Sequence, residues 1–125
     1  MKAKFIFCKR CGKMLAVVKD AKPVISCCGE AMEELIPGTT EAATEKHIPV
    51  YKVNGNTVDV VVGEVEHPMV ENHYIEWIAI STNQGGQIKF LHPNEEPKAT
   101  FALADGDELE EVLAYCNIHG LWNKK

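Results

Sequence analysis

The chain has 125 residues, 18 acidic against 13 basic, for a formal net charge of -5. The basic residues are scattered, which argues against nucleic-acid binding, and no apolar run is long enough for a secretory signal or a membrane span, so a cytoplasmic chain with no membrane association is expected. A chain this acidic repels small anions, so an anionic substrate would need positive charge placed locally.

Residues 1–36 hold short β-prone pieces, KFIF, MLAVV and PVIS, separated by Gly and Pro signals. So short a segment cannot bury enough apolar surface to hold itself together and needs a staple. Four of the five cysteines lie here, Cys8 and Cys11 in FCKRCG and Cys27 and Cys28 in SCCGE. In a reducing compartment such thiols are more often metal ligands than disulfides. The spacing of Cys8 and Cys11 lets one tight turn present both sulfurs, with Gly12 available for the reversal. Fifteen residues separate Cys11 from Cys27, enough for a small hairpin to bring the pairs together. Four thiolates suit zinc or iron. CxxC by itself fits a structural zinc knuckle, but adjacent Cys27 and Cys28 must open an unusual angle at the metal. This resembles the rubredoxin-like iron centre of desulforedoxin, which carries electrons.

PGTTEAATE, Pro37 to Glu45, is small and polar and is expected to be a linker. From Ile48 the pattern is β. IPVYKV and TVDVVV flank Asn54, Gly55 and Asn56, a strong hairpin signal. YIEWIAIST sets Ile75, Trp77 and Ala79 against Tyr74, Glu76 and Ile78, NQGG marks a turn, and QIKFLH and ATFALA continue the series. About seven strands in a β-sandwich fit this spacing. DELEEVLAY differs: Leu109, Val112 and Leu113 fall at helical spacing, with Asp107 as a cap and Glu110 three residues on.

The histidines are His47 in EKHIP, His67 in EHPM, His73 in ENHYIEW, His92 in KFLHP and His119, which shares YCNIHG with Cys116. Singly, each is more often a surface or satisfied core residue than a ligand. Together they sit near expected strand ends and turns, where the loops of a sandwich can converge. Spacing alone does not exclude His92.

CxxC with CC fifteen residues later, then EKHIP, HPM, HYIEWI, KFLHP and YCNIHGLW, in that order, resemble desulfoferrodoxin, the two-iron form of superoxide reductase, over essentially the whole chain. The resemblance implies a mainly β fold: a rubredoxin/desulforedoxin-like metal knuckle at residues 1–36, a linker and active-site loop at 37–46, and an immunoglobulin-like β-sandwich at 47–125. It makes DELEEVLAY a strand. It implies two mononuclear irons, one held by Cys8, Cys11, Cys27 and Cys28, the other by His47, His67, His73 and His119 in a plane with the Cys116 thiolate as axial fifth ligand. It assigns His92 no ligand role. It further implies that Glu45 takes the sixth position of oxidised iron, that Lys46 attracts superoxide and orders the hydrogen bonds around it, that rubredoxin is the electron donor, and that the chain is a homodimer.

The chemistry agrees with that assignment. Five ligands fill a tetrahedral zinc site badly, whereas nitrogen-rich coordination with one open position suits ferrous iron meeting a small oxygen species. A thiolate opposite that position pushes electron density onto the metal. Ferrous iron with four imidazoles and one thiolate is net positive, and iron with four thiolates is net negative, so superoxide should go to the histidine site. The expected reaction is one-electron reduction to hydrogen peroxide without release of dioxygen. The main alternative is a two-iron electron-transfer protein with no catalysis. A zinc-ribbon regulator binding nucleic acid would need the basic surface that the composition lacks.

Overall fold

The computed structural model describes residues 4–39 and 44–125, with Glu45 described by its backbone alone. Residues 40–43 of the expected linker lie outside this description. The chain divides into two compact units, Lys2–Ile36 and Pro37–Lys125.

In the smaller unit, β1 (Phe5–Phe7) pairs antiparallel with β2 (Met14–Ala16) and with β5 (Glu33–Glu34), while β3 (Ser26–Cys27) pairs with β4 (Glu30–Ala31). Of the expected PVIS strand only Ser26 enters a ladder; Pro23 has no N–H to donate, and Val24 and Ile25 stay exposed. Among the described residues of this unit, Phe5, Cys8 and Met32 are the buried ones. That is far too little apolar burial to offset the ordering of the segment, so its stability has to come from its cysteines.

The larger unit starts with a helical turn, α1 (Thr44–His47), at the end of the segment expected to be a linker. Seven strands follow: β6 (Pro49–Asn54), β7 (Thr57–Val62), β8 (Ile75–Thr82), β9 (Gly85–Phe90), β10 (Lys98–Ala102), β11 (Leu109–Cys116) and β12 (Gly120–Lys124). They form two antiparallel sheets, β10-β7-β6 and β12-β11-β8-β9, of an immunoglobulin-like sandwich. Asn54 pairs with Thr57, so the expected hairpin is present, with Gly55 and Asn56 as its two-residue loop. Val58, Val60, Val62 and Phe101 of the first sheet meet Ile75, Ile78, Ile80, Val112, Ala114 and Cys116 of the second in one buried core. Each such aliphatic side chain contributes about 1.5–3 kcal/mol by burial.

Two bulges account for the places where the sequence pattern misleads. β11 pairs Leu109 with Thr82 and Glu111 with Ser81, which leaves Glu110 as an extra residue. Leu109 and Val112, three apart, can therefore both face the core of a strand, and this produced the helix-like spacing of DELEEVLAY. Asp107 caps no helix; its carboxylate accepts from the Gln84 amide. In β8, Tyr115 pairs with Trp77 but Cys116 pairs with Ile75, so Glu76 is extra. Ile75 consequently joins Ile78 and Ile80 in the core, correcting the alternation that grouped it with Trp77 and Ala79. Trp77 stacks on Tyr115 at 5.6 Å between ring centroids.

Candidate metal centres

In the smaller unit the chain between β3 and β4 is a two-residue turn, Cys28 and Gly29, with φ of 53° and 79°. Two positive φ values match the hairpin turn whose twist suits the flanking strands. Cys28 occupies a conformation that costs a side-chain-bearing residue energy. The return is that adjacent Cys27 and Cys28 both turn their sulfurs toward Cys8 and Cys11. All four sulfurs lie within 4.8 Å of one another. The Cys11–Cys27 and Cys27–Cys28 sulfur separations are 3.6 and 3.9 Å, bracketing the edge of about 3.8 Å of a tetrahedron with metal–sulfur bonds of about 2.3 Å.

The thiols cannot all ionise unaided. The Cys11 amide, helped by that of Arg10, lowers the Cys8 thiol to about 7, while contact with the Cys11 sulfur, then with Cys8, pushes Cys27 up to about 12. A cation at the centre removes that conflict.

The second cluster lies at one end of the sandwich. His47 ends α1, His67 and His73 sit in the loop between β7 and β8, Cys116 ends β11, and His119 lies in the turn before β12. Ring centroids of neighbours are 4.5 Å apart for His47–His67, 4.8 Å for His67–His73, 5.2 Å for His73–His119 and 4.9 Å for His119–His47. The His47–His73 diagonal is 6.4 Å. A tetrahedral arrangement would make the diagonal equal to the edges, so the four rings form a near-square. His47 Nε2 lies 3.0 Å from His67 Nε2 and 3.1 Å from His119 Nδ1. A square of that edge has a half-diagonal of about 2.1 Å, the length of a metal–imidazole bond. Cys116 Sγ is 4.0 Å from His119 Nδ1 and within 4.8 Å of the other three donors. Cys116 is fully buried in the sandwich core, so the thiol backs the square from the protein side.

Protonation states prepare these groups for a cation. His67 donates its Nδ1 hydrogen to the Pro68 carbonyl at 2.7 Å, which leaves Nε2 as the donor atom. Burial, reinforced by the neighbouring histidines, lowers His67 to about 4, keeping it neutral. His73 is lowered by burial first, then by His119 and Lys46. Its Nε2 is buried with no hydrogen-bond partner, as a nitrogen awaiting a metal would be. Burial raises the Cys116 thiol against the pull of the His119 and Ile118 amides, so a nearby cation is what stabilises the thiolate.

The structure gathers Cys8, Cys11, Cys27 and Cys28 into one cluster and His47, His67, His73, His119 and Cys116 into the other. His92 lies outside both, exposed, with Nδ1 3.5 Å from Glu95. Lys46 is exposed at the end of α1. Two bracing residues carried no sequence signal as such. Asn117 accepts from the Tyr74 amide at 3.0 Å and donates to the Asn72 carbonyl at 3.1 Å, tying the His73 loop to the Cys116–His119 turn. Trp122 packs on the His47 ring at 5.1 Å and donates to the His119 carbonyl. Both lie within YCNIHGLW, and a polar side chain between two ligands was the only available hint.

A mainly β chain with a tetrahedral four-cysteine site and a square four-histidine site backed by cysteine has the donor sets of two mononuclear irons, one bound by four thiolates and the other by four imidazoles and one thiolate. The desulfoferrodoxin family profile matches residues 39–125. A desulfoferrodoxin homologue of Archaeoglobus fulgidus is 44% identical over 115 residues, covering 92% of this chain and 90% of its own. The crystal structure of the superoxide reductase from Treponema pallidum aligns over 100% of both chains, with 37% identity and a TM-score of 0.84. The one-iron superoxide reductase of Giardia intestinalis covers 64% of this chain and 95% of its own, with 34% identity and a TM-score of 0.55. The chain belongs to the desulfoferrodoxin family.

Proposed function

We propose that the protein is a superoxide reductase: superoxide takes up one electron and two protons at the histidine centre and leaves as hydrogen peroxide, with no dioxygen formed. The observation that carries this reading is the near-square of four imidazoles backed by a buried thiol, which commits five donors and leaves one face uncommitted. Bound ferrous iron supplies the electron, and its charge with a single thiolate favours an anion there. His47, His67, His73, His119 and Cys116 would hold the iron, and the Cys116 thiolate would push electron density onto it. Lys46 attracts superoxide and orders the hydrogen bonds around it. Glu45, its neighbour in α1, would supply a further carboxylate ligand to the oxidised metal. The names of the Treponema pallidum and Giardia intestinalis relatives support the activity.

In this reading residues 1–36 form a desulforedoxin-like iron domain that stores or relays electrons, residues 37–46 a linker and active-site loop, and residues 47–125 the reductase domain. Cys8, Cys11, Cys27 and Cys28 hold the first iron. Exposure of Cys11 and Cys28 leaves that centre within reach of a one-electron donor of the rubredoxin type. The donor, a homodimeric state and a cytoplasmic location rest on the family resemblance; among the described residues no helix is long and apolar enough to cross a membrane.

Product stoichiometry tests the activity. With a chemical reductant and a superoxide source, one peroxide per superoxide and no dioxygen is expected. Equal parts of peroxide and dioxygen would mean dismutation, and no superoxide consumption would leave an electron carrier.

A further inference from the structure

Five ligands on three stretches of chain must keep their spacing to a few tenths of an ångström for the square to hold a metal. Asn117 ties His73 to the turn bearing Cys116 and His119. The tie between His47 and His67 is made by backbone, and it converges on Gly63. We propose that Gly63 is a positioning residue that sets the separation of His47 from His67 and seats Lys46. This inference rests on the histidine centre holding a metal and is independent of the superoxide reading.

Gly63 is buried directly after β7, with φ of +87°. Its amide donates to the Ile48 carbonyl at 3.2 Å, fastening it to the residue after His47. The preceding carbonyl, of Val62, accepts from the His67 amide at 3.2 Å. A Cβ added to Gly63 would lie 2.6 Å from the Lys46 carbonyl oxygen, 2.8 Å from its carbon and 2.5 Å from the Val65 carbonyl oxygen. All three are backbone atoms, which cannot swing aside as a side-chain tip does. Any side chain here must push the Lys46–His47 turn away from the chain leading to His67, opening an edge of the square where the two Nε2 atoms stand 3.0 Å apart. The same push moves the backbone from which Lys46 projects.

A positive φ alone would also call for glycine, and Gly106 separates the two explanations. Its φ is +84°, but a Cβ there would meet nothing nearer than Gln84 Nε2 at 3.8 Å. Alanine at either position suffers the same conformational strain; only at Gly63 does it collide with a ligand-bearing segment.

The test is retention of iron by the histidine centre of the full two-iron protein during challenge with a ferrous chelator, with the four-cysteine absorption as the internal reference for folding. Gly63→Ala should lose that iron about tenfold faster than wild type, within the usual range for residues that orient metal ligands. Gly106→Ala should match wild type. Gly63→Asn should be as leaky as Gly63→Ala, because Asn tolerates left-handed backbone but still carries a Cβ. Wild-type retention in Gly63→Asn, or equal retention in the two alanine variants, would overturn the proposal. If the Gly63 variants do not fold, amide exchange in the wild type decides. The Gly63 amide should exchange at least tenfold more slowly with iron than without, while the Gly106 amide does not change; unchanged protection at Gly63 would overturn the proposal.

Discussion

The two clusters share only cysteine as a donor type and build different geometries. The cysteine cluster is a tetrahedron, set by a pair two residues apart and a vicinal pair on a tight turn with positive φ. Such a shell is closed: four thiolates would satisfy a bound iron, leave the centre net negative and offer no place for a substrate. The histidine cluster is a square, set by segments from distant parts of the sandwich and backed by a thiol drawn from its core. Around a ferrous ion that shell would supply five donors and leave the centre net positive. Number, arrangement and charge of the donors together thus separate a site able to pass electrons from one able to receive a ligand.

The largest expected effect comes from removing what distinguishes the square. Cys116→Ser should lower the rate of superoxide reduction by more than about a hundredfold, exceeding the loss usual for residues outside the ligand shell, with the four-cysteine absorption unchanged. Stopped-flow kinetics and a visible spectrum of the same sample measure both. Loss of the four-cysteine absorption with normal activity would show the roles reversed.

Asn117→Ala should come next, weakening metal binding at the histidine centre by about 10–100-fold through release of the His73 loop. Chelator titration measures this, with the four-cysteine centre as control. Unchanged affinity would mean that pairing of β8 with β11 alone holds His73 in place.

A smaller effect is expected for Lys46→Ala, since electrostatic steering commonly changes association rates by about tenfold or more. The wild-type rate with superoxide should fall as ionic strength rises, and the variant should show a flatter or reversed dependence. An unchanged rate and salt dependence would leave the attraction to the metal charge alone.

Much of this organisation was legible in the sequence where it depends on neighbours in the chain. Asn54, Gly55 and Asn56 announced their hairpin, and the cysteine spacings announced a tetrahedron. The histidines were visible as donors, but spacing could not choose among five of them; His92 follows the edge strand β9 at the same end of the sandwich, yet it stays exposed, beside Glu95. Residues acting through tertiary or backbone contact stayed hidden. The extra residues Glu76 and Glu110 break period-two alternation, and around Glu110 the break imitates a helix, because nothing in a single strand's pattern shows which residue its neighbour skips. The first residues of α1, 44–46, looked like linker because a single helical turn is too short to show periodicity. Asn117 and Gly63 matter for what they reach across space, Asn72 and Tyr74 for one and the Lys46 carbonyl for the other.

The central claim is that the square centre does the chemistry and the tetrahedral one only feeds it. Cys11→Ser, which removes one sulfur of the tetrahedron, tests this most directly. The variant is reduced chemically beforehand and mixed once with superoxide in a stopped-flow instrument. The account predicts one peroxide per reduced histidine centre at the wild-type rate; loss of that single turnover, in a variant whose sandwich is still folded and loaded with iron, would contradict it.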